Sequence, residues 1–272
     1  MSGLFVLAAC VGIGVSQSVF AYRILNDSLV GNVFQNQALR ETYADGVDEA
    51  GRIQFNRLKA NPKRLNQYLD QLKAASPDSQ PGLFKTRQAR MAYWINAHNV
   101  LALRLVLDAY PVKTTAEIKD YLDNRRYAFG GRFMSLRQME NRIFKEFYHW
   151  PEVFFALSRL DETSPPLSRT PFEGTKMLDE ALKARMSAIL ANPEVFRVVE
   201  SEPCAEIHLS PWFKEILPAL KQASYKDSGK SKHWLWVLMP SLPPEAQGAL
   251  AKTCSHKMDW LPLQPVLRDA AL

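Results

Sequence analysis

Asn96 and Asn99 lie three residues apart in the apolar stretch 91–111, Met-Ala-Tyr-Trp-Ile-Asn-Ala-His-Asn-Val-Leu-Ala-Leu-Arg-Leu-Val-Leu-Asp-Ala-Tyr-Pro. On a helix that spacing puts both amides on one side. A buried amide without a partner costs about 1–3 kcal/mol, so each must hydrogen-bond a loop backbone or a ligand. Loop pinning is the reading preferred here. His98 points to another face and is expected to be an ordinary packed or surface histidine rather than a base. Glu140 falls early on a helix, where it can act as an acid or pair with an arginine across the neighbouring hairpin; pairing is expected. Ser164 has no histidine near it in sequence, and a serine without a base in reach is a weak nucleophile. Asp259 and Trp260 are expected to lock the late chain against the body. Asn96, His98, Asn99, Glu140, Ser164, Asp259 and Trp260 together form the candidate pocket.

Other groups offer less. Arg125, Arg126 and Arg132, with Arg137 and Arg142, surround Gly130-Gly131 and form a possible anion-binding group, although a solvated face is the simpler reading. Cys204 and Cys254 can form a disulfide, which would tie a late strand to the region before Asp259 and stabilise by about 2–4 kcal/mol. The rival reading is two unpaired buried thiols. Cys204, His208, Cys254 and His256 lack the ligand spacings of zinc sites, so no metal is expected. There is no Gly-x-Ser-x-Gly elbow, phosphate-cradling loop, His-Glu-x-x-His pair or dinucleotide fingerprint, and no cofactor is expected. The sequence holds no complete catalytic set.

The elements that must position these groups follow from local patterning. Helices are predicted over 29–43, 62–75, 87–109 (stopped by Pro111), 115–124, 136–148 and 177–190. Ser135 and Gln138 form a capping box that starts the 136–148 helix. Residues 127–134 read as a hairpin, and 153–160, 195–199 and 205–209 as strands. Ser210-Pro211 opens a further helix, and 234–239 is ambiguous between helix and strand. The expected fold class is α+β, a helix-rich single domain with a small β-sheet.

Hydrophobic residues make up 47% of the 272 and charged residues 23%, which fits an ordinary globular protein with one core. The net charge of +6 comes from basic residues interleaved with acidic ones, without a nucleic-acid motif, so no nucleic-acid partner is expected. Residues 1–21 carry no charged side chain and end Val19-Phe20-Ala21, which reads as a secretory signal cut after Ala21. Residues 22–272 are then one globular domain, periplasmic or secreted. Two rivals to cleavage remain, lipidation at Cys10 in Leu7-Ala8-Ala9-Cys10 and an uncleaved anchor; only these would place the chain at a membrane.

Tyr93, Trp94, Ile95, Asn96, Ala97, Asn99, Leu101 and Tyr110-Pro111 also carry a resemblance. They are similar to the Phe-Trp-Ile-Asn-Ala-Tyr-Asn-Ala-Leu helix, ending at Tyr-Pro, of the domain-of-unknown-function 547 family, with His98 in place of a tyrosine. Asp45-Gly46-Val47-Asp48 with Leu58-Lys59-Ala60, then Gly130-Gly131 with Ser135-Leu136-Arg137-Gln138-Met139-Glu140, and finally Met258-Asp259-Trp260-Leu261-Pro262-Leu263 resemble further family segments. The resemblance implies a Cys and His constellation in the segment Arg-Ile-His-Phe-Ala-Leu and Cys-x-Ser-x-Ser-Cys-Pro-Pro-Leu. This chain departs there: Phe154 stands at the histidine position, Arg159 and Ser164 at the cysteines, and Asp161 at a serine. A thiolate reacts because its pKa can be tuned to ambient pH, and none of the replacements has that property. The expectation is an exported, noncatalytic member that binds a protein partner or small ligand through the surface near the Asn96 helix and the Arg-rich hairpin. The alternative is a hydrolase or transferase with a rearranged Cys/Ser–His site, drawing on His98, Glu140, Ser164 or Cys204.

Overall fold

Thr86 accepts the Ala89 amide on its side chain and starts α4, the 23-residue helix Arg87–Ala109; the extended Tyr110 and Pro111 end it. Every residue from Met91 to Leu103 on this helix is buried, because apolar side chains occupy all of its faces. In the computed structural model, which describes residues 29–30, 33–124, 126–202, 204–226, 233–251 and 256–271, the rest of the chain wraps around it. No helix among the described residues is long and apolar enough to cross a membrane.

Before it come α1 (Gln37–Gly46), α2 (Phe55–Ala60) and α3 (Lys63–Ala74). After it come α5 (Leu136–Glu146), α6 (Leu178–Leu190), α7 (Trp212–Lys226), the short α8 (Leu235–Leu238) and α9 (Pro244–Leu250). Helices α2, α3, α5 and α6 all pack on α4, and α7 packs on α5. The strands are small and peripheral. β1 (Leu29–Val30) pairs with β2 (Val33–Phe34), and β3 (Tyr127–Phe129) with β4 (Arg132–Met134), both antiparallel. β5 (Phe196–Val199) runs antiparallel to β6 (Glu206–Leu209), and β7 (Lys257–Trp260) parallel to it. Phe196, Ile207 and Leu209 share the inward face of this last sheet and are buried. The class is α+β in a single domain, with three small sheets where the sequence suggested one.

The β3–β4 turn docks on the end of α3: the Gly130 amide donates to the Leu72 carbonyl at 2.8 Å and the Gly131 amide to Lys73 at 3.1 Å. Gly130 has φ +57°, and a Cβ there would run into the Ser76 and Ser79 hydroxyls. Gly130→Ala is therefore expected to cost about 1–3 kcal/mol, read as a lower urea midpoint with unchanged slope. Gly131, with φ +82° but open space around it, should suffer only the backbone part of that penalty.

Residues 256–271 run as a belt over the body. β7 pairs with β6, Val266 bridges Thr114, Leu267 bridges Asp161, and Asp269 bridges Ile53. Arg268 clasps the belt by donating to the carbonyls of Asp161 and Ser164.

Three predicted elements differ. The helix expected over 29–43 begins only at Gln37, because the apolar pairs Leu29–Val30 and Val33–Phe34 hydrogen-bond each other first. The helix expected over 115–124 is a single 3-10 turn, Thr115–Glu117; the Glu117 carboxylate turns back to the Thr114 amide, and Asp120 takes φ +55°. The strand expected over 153–160 is instead a 3-10 helix, Pro151–Ala156, followed by an extended segment. No strand partner lies beside it, and its apolar run is buried by packing against α4, α6 and α7. The ambiguous 234–239 is helical. The proposed signal at 1–21, with Cys10, lies outside the described residues.

Candidate functional site

The two asparagines of α4 hold two different loops. Asn96 takes Phe172 from both sides: its Oδ1 accepts the Phe172 amide at 2.9 Å and its Nδ2 donates to the Phe172 carbonyl at 2.8 Å. Asn36 donates to the same carbonyl at 3.3 Å while accepting the Tyr68 hydroxyl at 2.8 Å. One helical turn on, Asn99 Oδ1 accepts the Ser158 amide at 2.9 Å and Nδ2 donates to the Ala156 carbonyl at 3.0 Å. Each amide thus replaces a missing strand partner for a buried stretch of extended backbone. The loop-pinning reading of both residues describes these contacts.

His98 is packed rather than on the surface, fully buried and with polar partners on both ring nitrogens. Nδ1 lies 3.1 Å from Asn99 Oδ1 and Nε2 lies 3.1 Å from Glu140 Oε1. Glu140 comes from the first turns of α5, whose start is fixed by the reciprocal Ser135–Gln138 capping box. Its arginine partner is not one from the hairpin. Arg159 makes the pair, with Nε 2.8 Å from Oε1 and Nη2 2.7 Å from Oε2, a two-pronged contact with 3% of the glutamate side chain exposed. The other side of Arg159 lies over the Trp212 ring at 5.1 Å and reaches Glu215 at 3.3 Å, both on α7. Burial pushes the Glu140 carboxyl up, but the hydrogen bonds and charges of Arg159 and His98 outweigh it and bring it down to about 2. Burial would push the Arg159 guanidinium down, and Glu140, then Glu215, hold it above its ordinary value instead. Trp212 and Glu215 carried no signal in the sequence beyond their helix.

The segment 158–164 is a knot tied by its own polar groups. The Arg159 amide donates to Ser164 Oγ at 2.9 Å, and that hydroxyl donates to the Asp161 carbonyl at 3.2 Å. Asp161 Oδ1 accepts the amides of Thr163 and Ser164, both at 3.2 Å, and Oδ2 accepts the Thr115 hydroxyl at 2.9 Å. Leu160 between them is forced to φ +67°, a strained conformation for a fully buried leucine, and its amide is held by Ser158 Oγ. Phe154 is buried edge-on against Phe144 at 5.0 Å, and its carbonyl accepts the Trp212 indole N–H. No histidine reaches Ser164, which serves as a loop fastener.

The remaining sequence candidates fall elsewhere. Asp259 and Trp260 lie exposed on β7; Asp259 accepts the Trp260 amide, and Lys214 covers the Trp260 ring at 4.8 Å. They share no hydrogen bond or ring contact with the His98–Glu140–Arg159 cluster, so the candidate pocket does not form as one unit. Backbone pairing of their strand with β6, together with the Lys214 contact, holds these two residues against the body. Arg126 is exposed and donates to Asn124; Arg132 is exposed; Arg137 and Arg142 pair with Asp123 and Asp78. That pattern is a solvated, neutralised face. Arg125 lies outside the described residues. Cys204 is disulfide-bonded, which leaves it unavailable as a nucleophile or metal ligand, and Cys254 lies outside the described residues. Among the described residues no three His, Cys, Asp or Glu side chains group as a metal site would need.

Residues 83–188 match the model of a family described as protein of unknown function, DUF547. The matched span begins just before α4 and runs into α6, so it contains Asn96, His98, Asn99, Glu140, Arg159 and Ser164. No curated protein and no solved structure matches the chain.

Proposed function

We propose that the chain, whose residues 83–188 match the DUF547 family of undefined activity and which carries Arg159 where the resemblance puts a cysteine, is a noncatalytic, exported protein that binds a small ligand or a protein partner. The observation that carries this reading is the two-pronged, buried ion pair of Arg159 with Glu140. A guanidinium stays protonated and is neither nucleophile nor base, and here its charge is spent on a carboxylate. Glu140, held near 2, has little proton affinity at neutral pH and makes a poor general base. The rearranged-site alternative needs a histidine beside Ser164 or a free thiol at Cys204. His98 faces Asn99 and Glu140, and Cys204 is already bonded, so neither requirement has support. A disulfide also supports export, since such bonds persist in oxidising compartments.

The test is labelling of the purified chain with fluorophosphonate and iodoacetamide probes, alongside chromogenic acyl, phosphoryl and glycosyl esters. Neither site-specific labelling at Ser164 or His98 nor turnover is expected. Turnover that Glu140→Gln or His98→Ala removes would reverse the reading. Export is checked on its own, by mass spectrometry of the mature N-terminus: a chain beginning at Tyr22 outside the cytoplasm is expected, and an uncut cytoplasmic chain overturns it.

A further inference from the structure

Among the described residues, no carboxylate pairs with Arg185. It sits on α6, between the buried positions Leu182 and Met186, and turns its head group inward. Nε donates to the Phe155 carbonyl at 2.9 Å and Nη2 to the Pro166 carbonyl, while Nη1 makes no hydrogen bond among the described residues. Carbonyls satisfy N–H groups but do not neutralise a charge. The partly buried arginines Arg87, Arg142 and Arg159 each have a carboxylate, Asp179, Asp78 and Glu140, whereas Arg268, like Arg185, donates to carbonyls, but it does so on the belt and away from the cavity beside α6. Arg185 pairs with no carboxylate among the described residues, and burial alone pushes its guanidinium down to about 10.

Arg185 also lines an open cavity of about 330 Å3 between α6 and the loop 168–177. That volume is at the small end of the range for ligand pockets, about 300–1,000 Å3. Its walls are largely apolar: Phe172, whose ring centroid lies 5.9 Å from the Arg185 guanidinium carbon, Leu178 and Ala181. Glu173 also lines it, but its two oxygens are taken by Arg40 and Asn36, so its charge is already balanced. Phe172 is the residue that Asn96 grips from both sides, so the wall of the cavity is positioned by the central helix.

We propose that this cavity is a binding site for a small organic carboxylate with an apolar tail, the carboxylate on Arg185 and the tail against Phe172 and Ala181. A carboxylate supplies the missing countercharge in a site partly closed to water, where charge-assisted hydrogen bonds are strong. The apolar walls favour a carbon chain over a bare inorganic anion. The proposal rests on the ligand-binding part of the reading above and not on the absence of turnover.

Isothermal titration of the full chain with hexanoate, hexanamide and inorganic phosphate tests it. Hexanoate is expected to bind about tenfold or more tightly than either competitor, and Arg185→Gln to remove that preference. Ala181→Phe, on the exposed rim, fills the cavity without touching the carbonyl contacts of Arg185 and should weaken hexanoate about tenfold even if the arginine variant folds poorly. No saturable hexanoate binding, equal binding of the amide or phosphate, or affinity unmoved by Ala181→Phe would each overturn the site. Turnover measured on the same samples reports separately. A Glu140-dependent turnover removes the noncatalytic reading and leaves the carboxylate site standing, whereas failed hexanoate binding without turnover removes only the site.

Discussion

Glu140→Ala is expected to lower the unfolding free energy by about 3–5 kcal/mol, because it leaves a largely buried Arg159 guanidinium with only the more exposed Glu215 as countercharge and His98 without its Nε2 partner. That is a large share of the roughly 5–15 kcal/mol that holds an ordinary domain folded. The same pair sets an acid limit. The folded carboxyl lies at about 2, below its ordinary value of 4.5, so its contribution to stability is present above about pH 4.5 and is lost as pH falls through 2. Urea unfolding at pH 7 and pH 3 reads both effects: the wild type should lose stability across that interval, and the variant should lose less. Glu140→Leu combined with Arg159→Met should recover much of the loss, since apolar replacement of a whole buried pair is often neutral or stabilising. A single-variant loss below about 1 kcal/mol, with an unchanged acid profile, would show that the pair does not hold the segment.

Asn99→Leu, close to the original in size, should cost about 2–4 kcal/mol by leaving the Ser158 amide and the Ala156 carbonyl buried and unpaired. Its signature is local. Hydrogen exchange should quicken at Ser158 and through 158–164, whereas Asn96→Leu should quicken Phe172 and spare Ser158. Equal fraying of both loops in both variants would mean that the asparagines act through the helix as a whole and not as separate clamps.

How much of this was legible in the sequence depends on how far each cause reaches. Helix α4 was read to its ends because its start and stop are local: a threonine cap and a proline. The Ser135–Gln138 cap was likewise readable from three residues. In residues 153–160 a run such as Val-Phe-Phe-Ala-Leu says that it will be buried, not by what; helices cover it, so it forms a 3-10 helix and not a strand. The need of Asn96 and Asn99 for partners followed from burial, but Phe172, Ala156 and Ser158 lie far along the chain, and no periodicity names them. That Glu140 pairs follows from its place on the helix, but its partner Arg159 lies 19 residues on, farther off than the hairpin, where nearness in sequence gives no guide. Asp259 and Trp260 carry part of the family likeness, which relates segments without placing them in space.

The belt formed by residues 256–271 bears on how the domain comes to fold. Its bridges to Ile53, Thr114 and Asp161 join stretches far apart in the chain, and such contacts close only after the intervening loops have met their entropic cost. During synthesis the central helix and its asparagine clamps can assemble early, but the 158–164 knot lacks the Arg268 clasp until the belt has left the ribosome. The matched span 83–188, expressed alone, would lack both Ile53 and the belt, and is expected to collapse without cooperative unfolding. The span matched to the family is thus narrower than the unit expected to fold.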